Sequence, residues 1–279
     1  MRIKLFSAAA LLAAFPVQAV ESQALNAAPT LTYADLADLA VGAPVVAHVR
    51  IRGAERLGAE LAANVPAGHR RFLVEAEIVA LIRASGGMEG RVSYLVDLPN
   101  DSRGRPAQLR RRSEWLVIAR RVPNRPAELQ LAAPDAQLPY APETAARLRD
   151  ILRDASAANT PARITGIGRA FHVPGNLPGE SETQFFLQTA NERPISLTVL
   201  RRPGEQPRWA VALSEMVDEA AAPPAPDTLL WYRLACTLPQ RLPGDVLHEA
   251  SADEVRAIQA DYRVIIEGLG ACARTRARR

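Results

Sequence analysis

Apolar and polar side chains alternate with a period of two over much of residues 45–132. In the first such run, Val45, Ala47, Val49 and Ile51 share one face of an extended chain. Turn-forming glycine, proline and asparagine residues separate it from further runs at residues 71–83, 91–98, 115–122 and 129–132. This pattern is typical of antiparallel strands that bury one face. We therefore predict five strands that form an antiparallel barrel or sandwich.

A short helix is predicted just before these strands. Thr32 and Asp35 have the spacing of a capping box, in which each side chain accepts a hydrogen bond from the backbone of the other residue. Five strands preceded by a small helix suit an OB-like barrel. This layout, over residues 32–140, resembles the barrel modules of secreted proteins such as netrin-type domains. The resemblance implies a fold and assigns no functional residue, because the cysteines of that family are missing.

A second unit is predicted over residues 141–279. Leu148, Ile151 and Leu152 recur at helical spacing and predict a helix at residues 144–157. Extended runs follow at residues 162–173, 184–190, 195–201 and 208–213. The Pro203-Gly204 turn is expected to pair the last two runs as a hairpin. The buried face of that hairpin is then predicted to hold Ile195, Leu197, Val199, Trp209, Val211 and Leu213.

Two helices are predicted at the end of the chain, at residues 228–237 and from the capping box at Ser251 to about residue 269. The arginine-rich residues 274–279 are expected to form a frayed tail. The predicted class is therefore α+β and β-rich. It combines an N-terminal OB-like antiparallel barrel or sandwich, a second small antiparallel β unit and a C-terminal pair of helices.

The first 19 residues have the three parts of a secretory signal peptide. Arg2 and Lys4 make the basic start, residues 5–15 are apolar, and Ala19 ends a small-residue cleavage site. The apolar run of about 11 residues is shorter than the roughly 20 that span a bilayer. No later segment is apolar for long enough to act as a transmembrane segment, and residues 20–31 lack periodicity and are expected to be flexible. We therefore predict a periplasmic or secreted protein.

Cysteine use agrees with export. Cys236 and Cys272 are the two cysteines of the chain, and their spacing excludes a CxxC redox pair. An even pair in an oxidising compartment predicts one disulfide. Both cysteines lie near predicted helix C-termini, so the bond requires either roughly parallel helices or a tail that folds back.

Composition excludes several kinds of chemistry. Lys4 is the one lysine of the chain, which excludes phosphate-binding and Schiff-base lysines from the mature protein. The four histidines are scattered without metal-ligand spacing, so neither a metal nor another cofactor is expected. The net charge is only +4, and aromatic residues do not interleave the arginines, so no nucleic-acid partner is expected.

The densest basic run is a candidate ligand-binding site. It lies between the third and fourth predicted strands and comprises Arg103, Arg105, Arg110, Arg111 and Arg112. An OB barrel can place a ligand loop there, and arginine forks suit phosphate and carboxylate groups. An anionic envelope component is the ligand that this run favours, although a solvated loop has the same composition.

The stretch from His172 to Thr183 is the most motif-like part of the chain. Gly179-Glu-Ser181-Glu-Thr183 departs from a nucleophile elbow because Thr183 replaces the second glycine. An exported hydrolase could use Ser181 with His172, or Glu180 and Glu182 as an acid/base pair. Against this, two carboxylates beside Ser181 would oppose a developing oxyanion. A polar loop between two strands is the simpler interpretation.

The leading expectation is therefore an exported, non-catalytic protein that binds or assembles an anionic envelope component or a protein partner. The hydrolase is the alternative. A closed pocket that joins Glu180, Ser181 and His172 would favour hydrolysis. An open surface at this stretch would favour binding.

Overall fold

The computed structural model describes residues 30–105, 108–213, 221–248 and 250–276. The predicted signal peptide, residues 1–19, and residues 20–29 of the predicted flexible segment lie outside these ranges. None of the helices in the described ranges is both long enough and apolar enough to cross a membrane.

The described residues form an α+β structure that is rich in strands. The helices are α1 (Tyr33–Ala40), α2 (Pro142–Ser156), α3 (Leu229–Ala235) and α4 (Ala252–Leu269). The first six strands are β1 (Val45–Arg56), β2 (His69–Ala84), β3 (Arg91–Pro99), β4 (Glu114–Val122), β5 (Arg125–Leu131) and β6 (Gln137–Pro139). The other four are β7 (Ile164–Pro174), β8 (Ser181–Thr189), β9 (Ile195–Arg201) and β10 (Arg208–Ala212).

The first five strands close into the predicted barrel. Their order is β1-β2-β3-β5-β4, and pairing of β1 with β4 closes the ring. β3 and β5 run parallel, whereas the other pairs around the ring are antiparallel. The apolar face predicted for β1 lies inside, where Ile51 packs with Val74 and Tyr94. The period-two pattern therefore identified the barrel core correctly.

A second core joins the outside of the barrel to the helices and the second sheet. Val46 of β1 and Ile118 of β4 point away from the barrel and pack with α1 and α2. The same cluster continues to Phe185 of β8 and Tyr262 of α4, whose ring centroids are 5.6 Å apart. β1 and β4 are thus buried on both faces. This explains why Val46 interrupts the alternation of apolar and polar residues in β1.

The second sheet has the strand order β10-β9-β8-β7, with antiparallel neighbours throughout. The predicted hairpin register is confirmed, because Trp209 lies opposite Val199 and Val211 lies opposite Leu197. The expectation for Leu213 was wrong. β10 ends at Ala212, and Leu213 is 47% exposed.

Trp209 packs directly on α4. A Cβ atom added at Gly268 would lie 2.3 Å from Trp209 Nε1, so the helix needs a glycine at this contact. We expect Gly268→Ala to destabilise the protein by about 1–2 kcal/mol, since overpacking outweighs the better helix propensity of alanine. Urea denaturation measures this change. Gly87→Ala, where an added Cβ meets nothing within 4 Å, is the control and should change stability by less than about 0.5 kcal/mol. A more stable Gly268→Ala protein would show that the indole moves freely.

The disulfide between Cys236 and Cys272 is present, with a Cα–Cα distance of 5.1 Å. Of the two arrangements that the sequence left open, the structure has the tail that folds back. α4 ends at Leu269 and is capped by Gly270, whose φ of +69° lies in the left-handed region that favours glycine. The chain then reverses and brings Cys272 to the end of α3.

The tail after Cys272 is held in place over its described part, so the expectation of a frayed tail at Arg274 and Arg276 was wrong. Arg274 Nε donates to Asp38 Oδ2 at 2.6 Å. Arg276 donates through Nε and Nη2 to the two carboxylate oxygens of Asp135, at 2.8 and 2.7 Å. The acids that bind these arginines lie far away in the sequence, so composition alone suggested a free basic tail.

Asp35 of α1 is the anchor of this C-terminal segment. Its carboxylate is fully buried and accepts hydrogen bonds from the backbone N–H groups of Thr275 and Arg276 and from the Thr275 hydroxyl. It also accepts from the Thr32 N–H, which completes the predicted capping box. One side chain therefore both caps the first helix and fastens the end of the chain.

Candidate functional site

The stretch from His172 to Thr183 is a β-hairpin that joins the neighbouring strands β7 and β8. β7 runs to Pro174 and β8 begins at Ser181, so most of the stretch is strand or tight turn. The turn is closed by a hydrogen bond from Gly175 N–H to Glu180 O at 2.8 Å, and Gly179 has a φ of +86°. The two proline-glycine pairs thus mark one hairpin turn.

An open groove of about 510 Å³ lies at this hairpin. Glu180, Ser181 and Glu182 line it, as the sequence suggested. His172 is not among the lining residues. The groove also includes Phe171 and Leu200, which the sequence analysis had not considered as site residues.

The outer face of the second sheet, next to this groove, is apolar and exposed. Val173 lies opposite Glu182, and Glu182 lies opposite Leu200, so these side chains form one row across three strands. Phe171 and Phe186 meet edge to face with centroids 5.9 Å apart. We call Phe171, Val173, Phe186 and Leu200 the apolar patch. Their exposed fractions are 45, 61, 37 and 41%.

Both carboxylates beside the apolar patch have hydrogen-bond partners. Glu182 Oε1 accepts a hydrogen bond from Gln184 Nε2 at 2.5 Å. Glu180 Oε2 accepts from the Leu177 N–H in the hairpin turn at 3.3 Å. The Arg169 guanidinium lies 5.4 Å from the centre of the Phe171 ring, a cation–π distance. The two carboxylates and Arg169 therefore already have contacts on this face.

His172 faces the opposite side of the sheet, toward α4. Its Nδ1 lies 2.8 Å from Thr183 Oγ1, and the Thr183 hydroxyl donates to Asp261 Oδ2 at 2.5 Å. Since the hydroxyl hydrogen goes to Asp261, the Nδ1–H of His172 is the donor to Thr183. Arg201 Nε donates to Asp261 Oδ1 at 2.6 Å. Asp261 and Thr183 are fully buried, and only 13% of the His172 side chain is exposed.

This arrangement does not assemble the parts of a serine hydrolase. The Ser181 hydroxyl makes no hydrogen bond with His172 or with any other residue of the described ranges. A nucleophile needs a base within hydrogen-bond reach and donors for the oxyanion. His172 instead belongs to a buried polar network that ties β7, β8 and β9 to α4. Glu180 likewise accepts a hydrogen bond within the hairpin turn, and Glu182 accepts one from Gln184 of the same strand.

The arginine run lies in the connection between β3 and β4. At one end of the barrel this connection meets the β1–β2 connection, where Asn100 N–H donates to Gly68 O, and it also meets β1, where Arg112 N–H donates to Ile51 O. Arg105 pairs with Asp101, with Nε 2.8 Å from Oδ2. The exposed Arg103, Arg110, Arg111 and Arg112 make no ion pair with any residue that the structure describes. Their role in binding remains a prediction.

Sequence reasoning missed the apolar patch and the role of Asp261. The available signal was the pair Phe185-Phe186 and the pair Val199-Leu200, where neighbours in a strand are both apolar. One member of each pair must face outward. Asp261 gave no signal, because it lies within an amphipathic helix more than 50 positions from Arg201.

Within the described ranges, no group of three or more His, Cys, Asp or Glu side chains is placed to hold a metal ion. No family model and no curated protein sequence matches the chain.

Proposed function

We propose that this is an exported, non-catalytic protein of the cell envelope that binds a partner protein through the apolar patch. One observation carries the proposal. Phe171, Val173, Phe186 and Leu200 are exposed on one face of the sheet, where Glu182 is bonded to Gln184 and the Arg169 guanidinium lies near the Phe171 ring. Exposed apolar clusters with polar rims mark sites of protein association. The disulfide supports an extracytoplasmic location, because cytosolic thiols are kept reduced.

A protein partner fits this surface better than a membrane does. Glu182 lies between Val173 and Leu200 of the apolar patch, Glu180 lines the adjoining groove, and anionic lipid headgroups repel carboxylates. The hydrolase alternative is less well supported, because His172 is bonded to Thr183 and is not part of the groove. An anionic ligand at the arginine run would be a separate activity of the barrel.

The first test is site-specific photo-crosslinking in cells that export the protein. Benzoylphenylalanine at Val173 is expected to give a discrete adduct with another protein. The same group at Leu61, which is 63% exposed, is the matched control and should not give this adduct. Phe171→Ser with Phe186→Ser should reduce the Val173 adduct by about tenfold or more, because truncated anchors each cost over ~1 kcal/mol of binding. Equal adducts at both positions would contradict the proposal.

A second experiment distinguishes binding to lipid from binding to a protein partner. The purified protein is mixed with phosphatidylglycerol vesicles and sedimented. Cosedimentation that is lost in Arg110→Gln, Arg111→Gln, Arg112→Gln but kept in the Phe171→Ser, Phe186→Ser variant would assign an anionic-lipid function to the barrel. Absence of vesicle binding together with the crosslinking pattern above supports the protein partner.

A further inference from the structure

The barrel wall has a gap between β3 and β5. These strands share only two residue pairs, Ser93 with Glu128 and Tyr94 with Leu129. β3 continues to Pro99, so from Leu95 onward it has β2 on one side and no described strand on the other. A five-residue strand edge, about 17 Å long at ~3.3 Å per residue, is therefore left open.

The backbone of this edge has groups directed into the gap. Asn100 N–H donates to Gly68 O on the β2 side, and Gly90 O accepts from Ile78 N–H on that same side. Successive residues of a strand point their N–H and C=O groups to alternate sides. The even-numbered residues of β3 thus direct their backbone N–H and C=O groups toward β2. The backbone N–H and C=O of Asp97 point the other way, into the gap. No strand partner for Asp97 exists on that side within the described residues.

An apolar stripe runs beside the open edge. Leu73 lies opposite Leu95 on the outer faces of β2 and β3, and Leu95 is 47% exposed. Leu131, at the end of β5, lines the other wall of the groove. The groove has a volume of about 830 Å³ and is the larger of the two barrel-side grooves that share Asp97.

Charged groups in this groove neutralise one another. Arg71 donates to both carboxylate oxygens of Asp97 at 2.8 Å. Arg125 Nη1 lies 3.0 Å from Glu128 Oε2. Each arginine is thus paired with a carboxylate, and the groove is complementary in charge to a segment of no net charge. An open backbone edge beside leucines, with no free charge, has the features of a strand-addition site.

We propose that the gap binds an extended, uncharged polypeptide segment of about five residues from a partner protein, which adds as a strand beside β3. Its backbone bonds the N–H and C=O of Asp97. Alternate apolar side chains of the segment contact Leu73, Leu95 and Leu131. This site is on the barrel and is independent of the apolar patch on the second sheet.

The probe is a phage-displayed library of random peptides of about seven residues, long enough to cover the edge, selected on the full-length protein. Recovered peptides are labelled and titrated by fluorescence anisotropy. Leu73→Ser with Leu95→Ser is expected to weaken binding by about tenfold or more. The matched control is Val79→Ser with Leu81→Ser, which removes two exposed apolar side chains of β2 outside the groove and should change the Kd by less than about twofold.

Hydrogen exchange reports the backbone contact. The Asp97 amide is expected to exchange fast in the free protein and to slow by about tenfold or more with saturating peptide. The Phe171→Ser, Phe186→Ser variant should leave peptide binding unchanged. A failure of the proposed site at β3 can therefore be distinguished from a failure of the proposed partner binding at the apolar patch. Three results would each overturn the proposal: no peptide with a Kd below about 100 μM, equal binding to both leucine variants, or protection at β7 in place of β3.

Discussion

Asp35→Ala is expected to lower the free energy of unfolding by about 3–5 kcal/mol, because several hydrogen-bond donors lose their shared buried acceptor. The Asp35 carboxylate accepts four hydrogen bonds and is fully buried. Its removal leaves the N–H groups of Thr275 and Arg276 without an acceptor, and each unmet buried donor costs ~1–3 kcal/mol. Urea denaturation followed by circular dichroism measures the loss.

Asp253→Ala is the control, because the Asp253 side chain is 86% exposed in the first turn of α4. It should cost less than about 1 kcal/mol. A loss below ~1 kcal/mol for Asp35→Ala as well would mean that the C-terminal segment is not anchored by this carboxylate.

Asp35 also makes the stability of the protein depend on pH. Burial alone would raise the pKa of Asp35, but hydrogen bonds from Thr275, Thr32 and Arg276 outweigh it and hold the pKa well below its usual range. A carboxyl group whose pKa is lowered by folding stabilises the protein fully above its unfolded pKa of about 4 and loses that contribution as the pH falls further. Unfolding free energies measured from about pH 6 to pH 2 should therefore drop below pH ~4 in the native protein. The drop should be shallower in Asp35→Ala.

Cys236→Ser with Cys272→Ser is expected to cost about 4 kcal/mol on the chain-entropy account of disulfides. The bond joins residues 36 positions apart and so restricts a long loop of the unfolded chain. Its loss also frees the chain just before Thr275 and Arg276, which bind Asp35. Thermal and urea melts of the double variant are compared with those of the native protein with and without reductant. Coincident melts of the oxidised and reduced native protein would contradict the expected effect.

The disulfide and Asp35 should act as one unit. In a double-mutant cycle, the combined variant Asp35→Ala, Cys236→Ser, Cys272→Ser is expected to lose less stability than the sum of the separate losses. Both changes release the same C-terminal segment, and neighbours that share partners are not additive. Strict additivity would indicate that the segment stays docked when the disulfide is removed.

Local pattern in the sequence determined most of the elements. The alternation at Val45 to Ile51 predicts a strand with one buried face, since successive side chains of a strand point to opposite sides. The capping boxes at Thr32 and Ser251 predict helix starts, because each uses backbone groups only three residues away. The disulfide was predicted from two cysteines in a chain with a predicted export signal, and it is present. The strands and helix starts depend on short-range spacing, and the disulfide depends on the number of cysteines.

Only the tertiary structure decided what the polar groups do. Asp35 is a helix cap by spacing, but it also binds Thr275, and His172 reaches Asp261 through Thr183. These partners are separated by up to 240 residues and have no periodic relation. The open edge of β3 and the outward side of Phe171 likewise depend on which strands become neighbours and where pairing stops. Periodicity identifies which side chains share a face, but what covers that face depends on the packing of distant elements.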